Sequence, residues 1–378
     1  MRVTLVTETY FPQVNGVSRT LDRLVTYLAD HGDAVQLLVP SYPEGPAEAP
    51  NASDVRSFRS VALPFYREIR VPILGPRSIA KAVAAFQPDL MHICTEGTLG
   101  FAARRCVRRR GLPFVTSYHT NFSQYTEDYG LGFAARAVWR YLRWFHNGGR
   151  VTFCPTPSIS GILQEEGFEN LVVWGRGVDT ERFHPARADA AQRGARGVGE
   201  NETLLVYAGR VSNEKNLPML VDAFELLPQD LPVKLLIVGD GPLREGLAAE
   251  ADPRIVFAGY KRGEELAACY AAGDLFVFPS VSETFGNVML EAMASGMPVI
   301  AYDSPGPRDV IRQEETGWVV SECAPEPMAR AIEEALADPQ RLDRMKRRAR
   351  AYAETQTWDA VNSVVREAYE GVLADGPA

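Results

Sequence analysis

The sequence contains few cysteines, and their spacing argues against two classes of protein. Five cysteines occur in 378 residues, at positions 94, 106, 154, 269 and 323. The number is odd and none of them forms a Cys-x-x-Cys motif, so neither a disulfide framework nor a zinc site is expected. Such cysteines are typical of a reducing compartment, and we expect the protein to be cytoplasmic.

Long apolar runs and an excess of positive charge are also missing. No run approaches the roughly 18 apolar residues that a membrane-spanning helix needs. The apolar run that follows Met1 is too short for a secretory signal peptide. The formal net charge is −8, which argues against a general nucleic-acid-binding surface.

The composition predicts a globular protein with two domains. Hydrophobic residues make up 46% of the chain and charged residues 23%, proportions typical of folded proteins. A length of 378 residues exceeds what one ordinary core covers. In each half, apolar strand patterns alternate with helical ones. That alternation predicts an α/β protein whose parallel sheets carry helices on both faces.

In the first half, two residues follow predicted strands at positions where such sheets bind ligands. Gly16 follows a strand predicted at 3–7, and His119 follows one at 114–117. Ligands of parallel sheets lie at the carboxyl ends of strands, and a glycine there lets the backbone approach closely. Taken alone, Gly16 is better explained as part of a turn, and His119 as a hydrogen-bonded structural histidine.

In the second half, a strand predicted at 204–208 leads into a loop with two cations, Arg210 and Lys215. Arginine offers a rigid fork and lysine a mobile point charge, a combination suited to a diphosphate. The loop lacks the second glycine of a P-loop. The next strand-end turn, at 239–242, is not the dinucleotide fingerprint, because Arg244 stands where the third glycine should be.

The stretch with the clearest chemical signal joins a strand predicted at 275–279 to a helix predicted at 287–295. Glu283, Phe285 and Gly286 lie in the loop between them, and the first amides of such a helix form a ready phosphate site. Glu283 and Glu291 can accept hydrogen bonds from sugar hydroxyls. The combination suits a nucleotide sugar. An ordinary α/β loop with a solvated Glu283 and a helix-favouring Glu291 is the alternative.

Glu283 and Glu291, with the residues between and after them, resemble the signature of retaining GT-B glycosyltransferases, the group that contains sucrose synthases and bacterial mannosyltransferases. Further stretches match this family: 14–18, 117–121, 175–185 and 209–215. The resemblance implies two Rossmann-like domains facing a cleft. It implies an acceptor-side domain at 1–176, a donor-binding domain at 177–356, and a final helix at 357–378 that packs back on the first domain.

The same resemblance implies a role for each candidate residue. His119 would contact the donor sugar at the reacting centre and Glu283 its hydroxyls, so these two are the expected catalytic residues. The residues expected to bind the donor are Gly16, Arg210, Lys215, Phe285, Gly286, Asn287, Val288 and Glu291, the last at the ribose. The chain has no Asp-x-Asp element, the metal-binding element of the other major glycosyltransferase fold. We therefore expect no required metal and no cofactor beyond the substrate nucleotide sugar.

Four stretches, 14–18, 63–72, 117–120 and 174–179, are similar to a subgroup that glycosylates diacylglycerol-type lipids with mannose or sulfoquinovose. Arg67 and Arg70 are then expected to help bind an acidic acceptor or headgroup. We expect GDP-mannose as donor, a UDP-sugar as the second choice, and a glycolipid or glycan hydroxyl as acceptor. Since no residue stands out as a covalent nucleophile, front-face attack and double displacement both stay open. Tyr260 is expected to be a packed aromatic residue rather than a base-stacking one.

The stretch 101–150 differs in charge from the rest of the chain, with nine arginines and two carboxylates. Three of the arginines recur at helical spacing among aromatic residues: Arg136, Arg140 and Arg143 with Trp139, Tyr141, Trp144 and Phe145. Such a helix can lie in an anionic membrane surface, and a core helix with a wet arginine face is the alternative. Because related lipid-glycosylating enzymes dock through their first domain, we expect peripheral contact with the inner face of the membrane.

Three other functions fit parts of the pattern. A GT-B sugar-nucleotide epimerase would bind the same donor but release its product without an acceptor. A non-catalytic sugar-nucleotide sensor would bind the donor and turn nothing over, and the intact set of candidate residues argues against it. A nicotinamide dehydrogenase would need the missing three-glycine fingerprint.

Overall fold

The computed structural model describes residues 1–62, 70–75, 77–119, 132–188, 193–194, 197–199, 201–281, 283 and 285–376. For residues 132–135 the description is limited to the backbone. Arg67, the acids Glu127 and Asp128, and the end of the 117–121 stretch lie outside these ranges. The chain forms two compact units. The first consists of Met1–Arg176 and Trp358–Ala378, and the second of Gly177–Thr357.

A seven-stranded parallel sheet forms the centre of the first unit, with the strand order β3-β2-β1-β6-β7-β8-β9. Its strands are β1 (Arg2–Val6), β2 (Ala34–Pro40), β3 (Asp54–Phe58), β6 (Leu90–Ile93), β7 (Phe114–Ser117), β8 (Thr152–Cys154) and β9 (Leu171–Val173). The helices of this unit are α1 (Gly16–Asp30), α2 (Ser78–Phe86), α3 (Thr98–Arg110), α4 (Gly132–His146), α5 (Pro157–Glu165) and α13 (Trp358–Ala374). The order reverses at β1, as in a doubly wound sheet.

Helix α1 shows how the sequence fixes such an element. Its Asn15 cap accepts a hydrogen bond from the Ser18 amide, and the Ser18 hydroxyl meets the Asn15 amide, both at 2.9 Å. This capping box satisfies amides that the first turn would leave unpaired. Apolar residues at helical spacing form its buried face, with Leu21, Leu24 and Leu28 inaccessible to solvent. Burial of each such side chain stabilises the fold by roughly 1.5–3 kcal/mol.

The final helix, α13, returns to the first unit, as predicted. The Asn362 side chain accepts a hydrogen bond from the Trp174 indole at 3.2 Å. Arg366 forms an ion pair with Asp33 at 3.0 Å. The Tyr369 hydroxyl lies 2.6 Å from Nδ1 of His92, which is wholly buried in β6. Polar contacts along its length therefore fix the helix against the sheet.

A six-stranded parallel sheet forms the centre of the second unit, with the order β12-β11-β10-β13-β14-β15. Its strands are β10 (Thr203–Ala208), β11 (Val233–Val238), β12 (Ile255–Gly259), β13 (Leu275–Phe278), β14 (Val299–Tyr302) and β15 (Gly317–Val320). Its helices are α6 (Leu217–Glu225), α7 (Arg244–Glu250), α8 (Gly263–Ala271), α9 (Asn287–Ala294), α10 (Pro305–Val310), α11 (Pro325–Ala337) and α12 (Pro339–Thr355). The prediction of two Rossmann-like units is confirmed.

The sequence patterns did not predict a short antiparallel hairpin of the first unit. It pairs β4 (Ser60–Ala62) with β5 (Arg70–Pro72). Arg70 donates hydrogen bonds to the hydroxyl and the carbonyl of Ser60, each at 3.0 Å. The guanidinium that we expected at an acidic acceptor therefore holds this hairpin together.

The His92 contacts predict how the stability of the first unit depends on pH. Burial lowers the pKa of His92 to about 3. As the pH falls, the unfolded state therefore binds a proton at this imidazole before the folded state does. The contribution of His92 to the free energy of unfolding is complete above about pH 6.5 and is lost as the pH falls towards 3. Below about pH 6.5 the free energy of unfolding of the wild-type protein should fall with pH, and we expect His92→Gln to reduce this loss by about 1.4 kcal/mol per pH unit. Urea unfolding at pH 7.5 and 5.5, followed by tryptophan fluorescence, measures it.

Two design choices sharpen this test. A Trp318→Phe background removes the tryptophan of the second unit, so that fluorescence reports on the first unit. Tyr369→Phe is the matched control, because it removes the hydroxyl that contacts His92 but leaves the imidazole in place. It should lower stability at every pH and keep the wild-type slope. An unchanged slope in His92→Gln would contradict the proposed linkage.

Candidate functional site

The loops that follow β10 and β11 lie backbone against backbone in the second unit. The Gly209 amide donates to the Val238 carbonyl, and the Val211 amide to the Asp240 carbonyl, each at 3.0 Å. A Cβ on Gly239 would lie 1.8 Å from the Gly209 carbonyl oxygen. No larger residue fits there, so glycine at this position is what allows the two loops to share one edge.

The loop after β13 leads into α9 through Gly286, which caps the helix. Gly286 has a φ of +83°, and a Cβ there would lie 2.7 Å from Cε of Met289. Asn287 and Val288 open the helix, as predicted, and Phe285 packs into the core of the unit. The amides at this helix start face the same edge of the sheet as the loop after β10, since both follow parallel strands.

The structure brings Lys215 and Glu283 together. Lys215 ends a 3₁₀ turn, Asn213–Lys215, in the loop after β10, and its ammonium donates to the Glu283 carboxylate. Each side chain is 24% exposed. Asn216 donates to the Pro279 carbonyl at 3.3 Å and ties the two loops together. A cation expected at phosphate and a carboxylate expected at a sugar therefore lie in direct contact, partly shielded from water.

Arg210 does not join this pair in the structure. Its guanidinium lies 3.8 Å from the Glu214 carboxylate, and its side chain is 63% exposed. An exposed pair of this kind contributes little to stability. Arg210 and Lys215 therefore share the loop after β10, but it is Lys215 that contacts Glu283.

Glu291 is held by a residue that sequence reasoning missed. The Tyr270 hydroxyl donates to Oε2 of Glu291 at 2.9 Å. Tyr270 is fully buried in α8, stacked on Phe276 and in edge contact with Phe183. A hydrogen bond from a rigid phenol fixes the direction of the carboxylate. The apolar pattern around Tyr270 indicated a core residue and gave no sign of this second contact.

In the first unit, Gly16 is the first residue of α1, and a Cβ there would meet nothing within 4 Å. Its backbone φ is not in the left-handed region. The fold therefore does not require glycine at this position. The open space beside it is consistent with the close approach of a ligand that the sequence predicts.

His119 is buried and meets Arg176, which sequence reasoning did not select. The Arg176 guanidinium donates to Nδ1 of His119 at 3.2 Å. Burial and then the charge of Arg176 lower the pKa of His119 well below its ordinary value, so the imidazole stays neutral. Nε2 has no hydrogen-bond partner among the described residues. His119 therefore has one nitrogen engaged and one ready for a ligand.

Two buried serine hydroxyls at the carboxyl edge of the second sheet also lack partners within the described part of the chain. Ser280 follows β13 and Ser304 follows β14. They are 0% and 5% exposed, respectively. Unpaired buried polar groups are costly and uncommon in folded proteins. Their position at the same edge as Lys215 and Glu283 is consistent with a site for a polar ligand.

Three sequence expectations can be compared with the described residues. No cluster of three or more His, Cys, Asp or Glu side chains suited to a metal ion is found among them. Nor does any described helix have the length and apolar character needed to cross a membrane. The prediction that Tyr260 is a packed aromatic residue is wrong. It is 55% exposed, and the Arg262 guanidinium lies 4.8 Å from its ring centroid, because the strand ends just before it.

The chain is similar to known glycosyltransferases over its whole length. A family model for glycosyl transferases group 1 matches residues 189–352, and one for glycosyltransferase family 4 matches residues 14–182. A GDP-mannose-dependent alpha-mannosyltransferase of Mycolicibacterium smegmatis is 33% identical, over 99% of this chain and 98% of the relative. A sulfoquinovosyl transferase of Arabidopsis thaliana is 31% identical, over 96% of this chain and 72% of the relative.

Among solved structures, the sucrose-phosphate synthase of Thermosynechococcus elongatus is similar with a TM-score of 0.82. The similarity covers 99% of this chain and 100% of the synthase, at 22% sequence identity. At that identity the likeness concerns the fold. It confirms the prediction of a GT-B arrangement of two Rossmann-like units.

The conformation of Gly286 predicts an unequal effect of two glycine substitutions. Gly286→Ala would place a methyl group against Met289 at a positive φ, and we expect it to destabilise the protein by about 1–2 kcal/mol. Gly246→Ala is the control, because Gly246 lies within α7 and has open space around it. That change should stabilise by up to about 1 kcal/mol. Differential scanning calorimetry compares them, and equal stability would contradict the geometry at Gly286.

Proposed function

The chain belongs to the group 1 glycosyltransferases, and we propose that it transfers mannose from GDP-mannose to a hydroxyl of a lipid or glycan acceptor. Hexosyl transfer on a GT-B fold follows from membership of the family. The donor, the acceptor and retention of the α configuration are our proposal. The contact between Lys215 and Glu283 at the edge of the second sheet is the observation that carries it.

The Lys215–Glu283 pair suits both halves of a nucleotide sugar. An ammonium group has three N–H donors, so Lys215 can keep its contact with Glu283 while it donates to a phosphate oxygen. The Glu283 carboxylate, oriented in this way, accepts hydrogen bonds from sugar hydroxyls. The diphosphate gains negative charge as the bond to the sugar breaks, and donors already in place stabilise that charge. Arg210 and the α9 amides of Asn287 and Val288 are the other donors.

The remaining site residues bind parts of the donor that do not carry this charge. Glu291, fixed by Tyr270, accepts from the ribose hydroxyls. His119 donates from Nε2 to a hydroxyl of the transferred sugar. Gly16 lets the start of α1 approach the diphosphate. The departing phosphate takes the proton of the acceptor in front-face attack, and double displacement through a protein nucleophile is the alternative.

The similar proteins support GDP-mannose as the first candidate for the donor and a UDP-sugar as the second. The name of the M. smegmatis relative specifies GDP-mannose, and the similarity spans both chains nearly completely. The A. thaliana relative transfers sulfoquinovose according to its name, and its similarity to this chain is almost as high. Transfer from a UDP-sugar is therefore the second candidate.

A donor panel tests the proposal directly. We expect nucleoside diphosphate release from GDP-mannose that rises when diacylglycerol-type lipid acceptors are added. Release should be unchanged by EDTA, since no metal is expected to take part. Lys215→Ala should lower kcat by about 100-fold or more, the usual cost of losing a donor to developing charge. Lys261→Ala is the matched control, because Lys261 pairs with Glu265 on the surface at 3.7 Å.

Each other outcome points to a different function. Release of nucleoside diphosphate from a UDP-sugar alone would show that the donor is a UDP-sugar and not GDP-mannose, and the protein would still be a glycosyltransferase. An altered sugar nucleotide without any acceptor product would indicate an epimerase. Binding without turnover of any donor would contradict the proposed activity and leave a sensor on the same fold.

The arginine-rich stretch forms a surface that suits an anionic membrane. Phe101 on α3 and Trp144 on α4 are 38% and 42% exposed, with ring centroids 6.0 Å apart. The same two helices carry exposed arginines: Arg105, Arg108 and Arg109 on α3 and Arg136, Arg140 and Arg143 on α4. Aromatic rings at the interface and cations at the headgroups are the features of a peripheral membrane surface.

Two residues of the stretch have structural roles instead. Arg104 is buried and donates to the carbonyls of Trp144 and Phe145 at the end of α4. Trp139 packs edge-on against Phe168, with ring centroids 6.0 Å apart. Helix α4 therefore has one face that packs against the protein and one face that is exposed. We propose that the protein is cytoplasmic and contacts the inner face of the membrane through the exposed face of α4.

Vesicle flotation tests this surface. Wild-type protein should float with vesicles that contain phosphatidylglycerol and stay below with phosphatidylcholine alone. Arg108→Gln with Arg109→Gln should weaken binding by roughly tenfold or more, since each cation contributes about 1 kcal/mol. Phe101→Ala with Trp144→Ala should weaken it further. Tyr260→Ala removes an equally exposed aromatic residue from the second unit and should change nothing, and equal losses in all variants would contradict the proposed surface.

A further inference from the structure

The contact between Arg176 and His119 assigns the proton of the imidazole. Arginine has N–H donors and no acceptor, so Nδ1 of His119 must accept the hydrogen bond at 3.2 Å. A neutral imidazole with an accepting Nδ1 carries its proton on Nε2. Nε2 is also the buried atom that has no partner among the described residues. The geometry therefore leaves one N–H donor pointing at no group of the protein that the structure describes.

Arg176 is itself held rigidly at the end of β9. Its Nη1 donates to the carbonyls of Trp174 and Gly175 at 2.9 and 3.0 Å. The Trp174 ring lies 5.6 Å from the guanidinium carbon and 5.7 Å from the His119 ring. Trp174 is in turn fixed by its hydrogen bond to Asn362 of α13. The guanidinium thus has a single orientation, with Nη2 aimed at His119.

The burial of Arg176 is costly and is not offset by an ion pair. The side chain is 6% exposed, and no carboxylate of the described residues lies within salt-bridge distance of it. Burial lowers its pKa to about 10, which still leaves it charged at neutral pH. A buried cation without a carboxylate is expensive, and its partners here are two carbonyls and an imidazole. Packing alone would favour an apolar side chain at this position.

We propose that Arg176 is a positioning residue, which holds His119 in the tautomer that donates from Nε2 to a hydroxyl of the donor sugar. This inference rests on the proposed contact between His119 and that sugar. Removal of Arg176 would free Nδ1, so that the proton could move between the two nitrogens. The imidazole would then present an acceptor to the hydroxyl for part of the time.

The groups around His119 all lower its pKa. The groups that influence it are Arg176, His92 and His146, each of which lowers its pKa after burial has done so. No carboxylate is among them. Without Arg176 one cause of the lowered pKa would be gone, but burial, the largest cause, would remain. The imidazole should therefore stay neutral and lose only its fixed tautomer.

The first test reads the tautomer without any turnover. Long-range ¹H–¹⁵N correlation spectra of the imidazoles, assigned with His119→Gln, should show a protonated Nε2 and a bare Nδ1 that do not titrate from pH 5 to 8. Arg176→Met should give nitrogen shifts averaged between the two neutral tautomers. Arg176→Lys keeps a cationic donor and should restore part of the wild-type spectrum. Wild-type shifts in Arg176→Met would overturn the inference.

Arg104→Met is the matched control. Arg104 is also a buried arginine of the first unit, 4% exposed and bonded to two carbonyls, but it contacts Trp144 rather than His119. The substitution should lower stability and leave the His119 spectrum unchanged. A purely structural role for Arg176 predicts that both variants behave alike.

Kinetics form the second test. In Arg176→Met, kcat for nucleoside diphosphate release should fall about tenfold at pH 8, the loss expected for one misdirected hydrogen bond. KM should change little. If the wild-type protein releases no nucleoside diphosphate from any donor, the proposed function fails while the spectra still decide the tautomer. Altered spectra with unchanged kinetics would overturn the link between the tautomer and catalysis.

Discussion

The common direction of the strands is the constraint on which the candidate site depends. Every strand of both large sheets runs parallel to its neighbours, so the loops at the carboxyl ends of each sheet share one edge. In the second unit this crowding is extreme, since the Gly239 backbone rests on the Gly209 carbonyl. Close packing of these loops leaves them little freedom. Residues as distant in sequence as Lys215 and Glu283 therefore meet in a defined geometry.

The carboxyl edges of the two sheets differ in their electrostatics. In the first unit, burial and the Arg176 guanidinium keep His119 neutral, so it can only supply an uncharged N–H group. In the second, Lys215 and Glu283 are both partly exposed and form an ion pair. A neutral donor suits a sugar hydroxyl, whereas a cation suits a phosphate. The division follows from desolvation, which penalises charge more strongly at His119 than at the partly hydrated Lys215.

Most of the fold could be predicted because its strands are short, apolar and separated by helices with clear periodicity. The bounds predicted for the helix at 287–295 and the strand at 114–117 differ from those of α9 and β7 by at most one residue. The hairpin of β4 and β5 escaped prediction because Arg70, not apolar alternation, holds it together. Arg176 escaped for another reason. It lies 57 residues from His119, and their contact exists only because β7, β8 and β9 are neighbours in the sheet.

Each of the two sheets has buried polar groups without partners among the described residues at its carboxyl edge. In the first unit this group is Nε2 of His119, and in the second unit the groups include the hydroxyls of Ser280 and Ser304. Each such group costs about 1–3 kcal/mol relative to a satisfied one. A domain tolerates them only when burial elsewhere is extensive, as in strands β1, β10 and β13, whose apolar residues are at most 3% exposed. Unpaired buried donors of this kind can donate hydrogen bonds to a ligand, so ligand binding at these edges would offset the free energy that their burial costs.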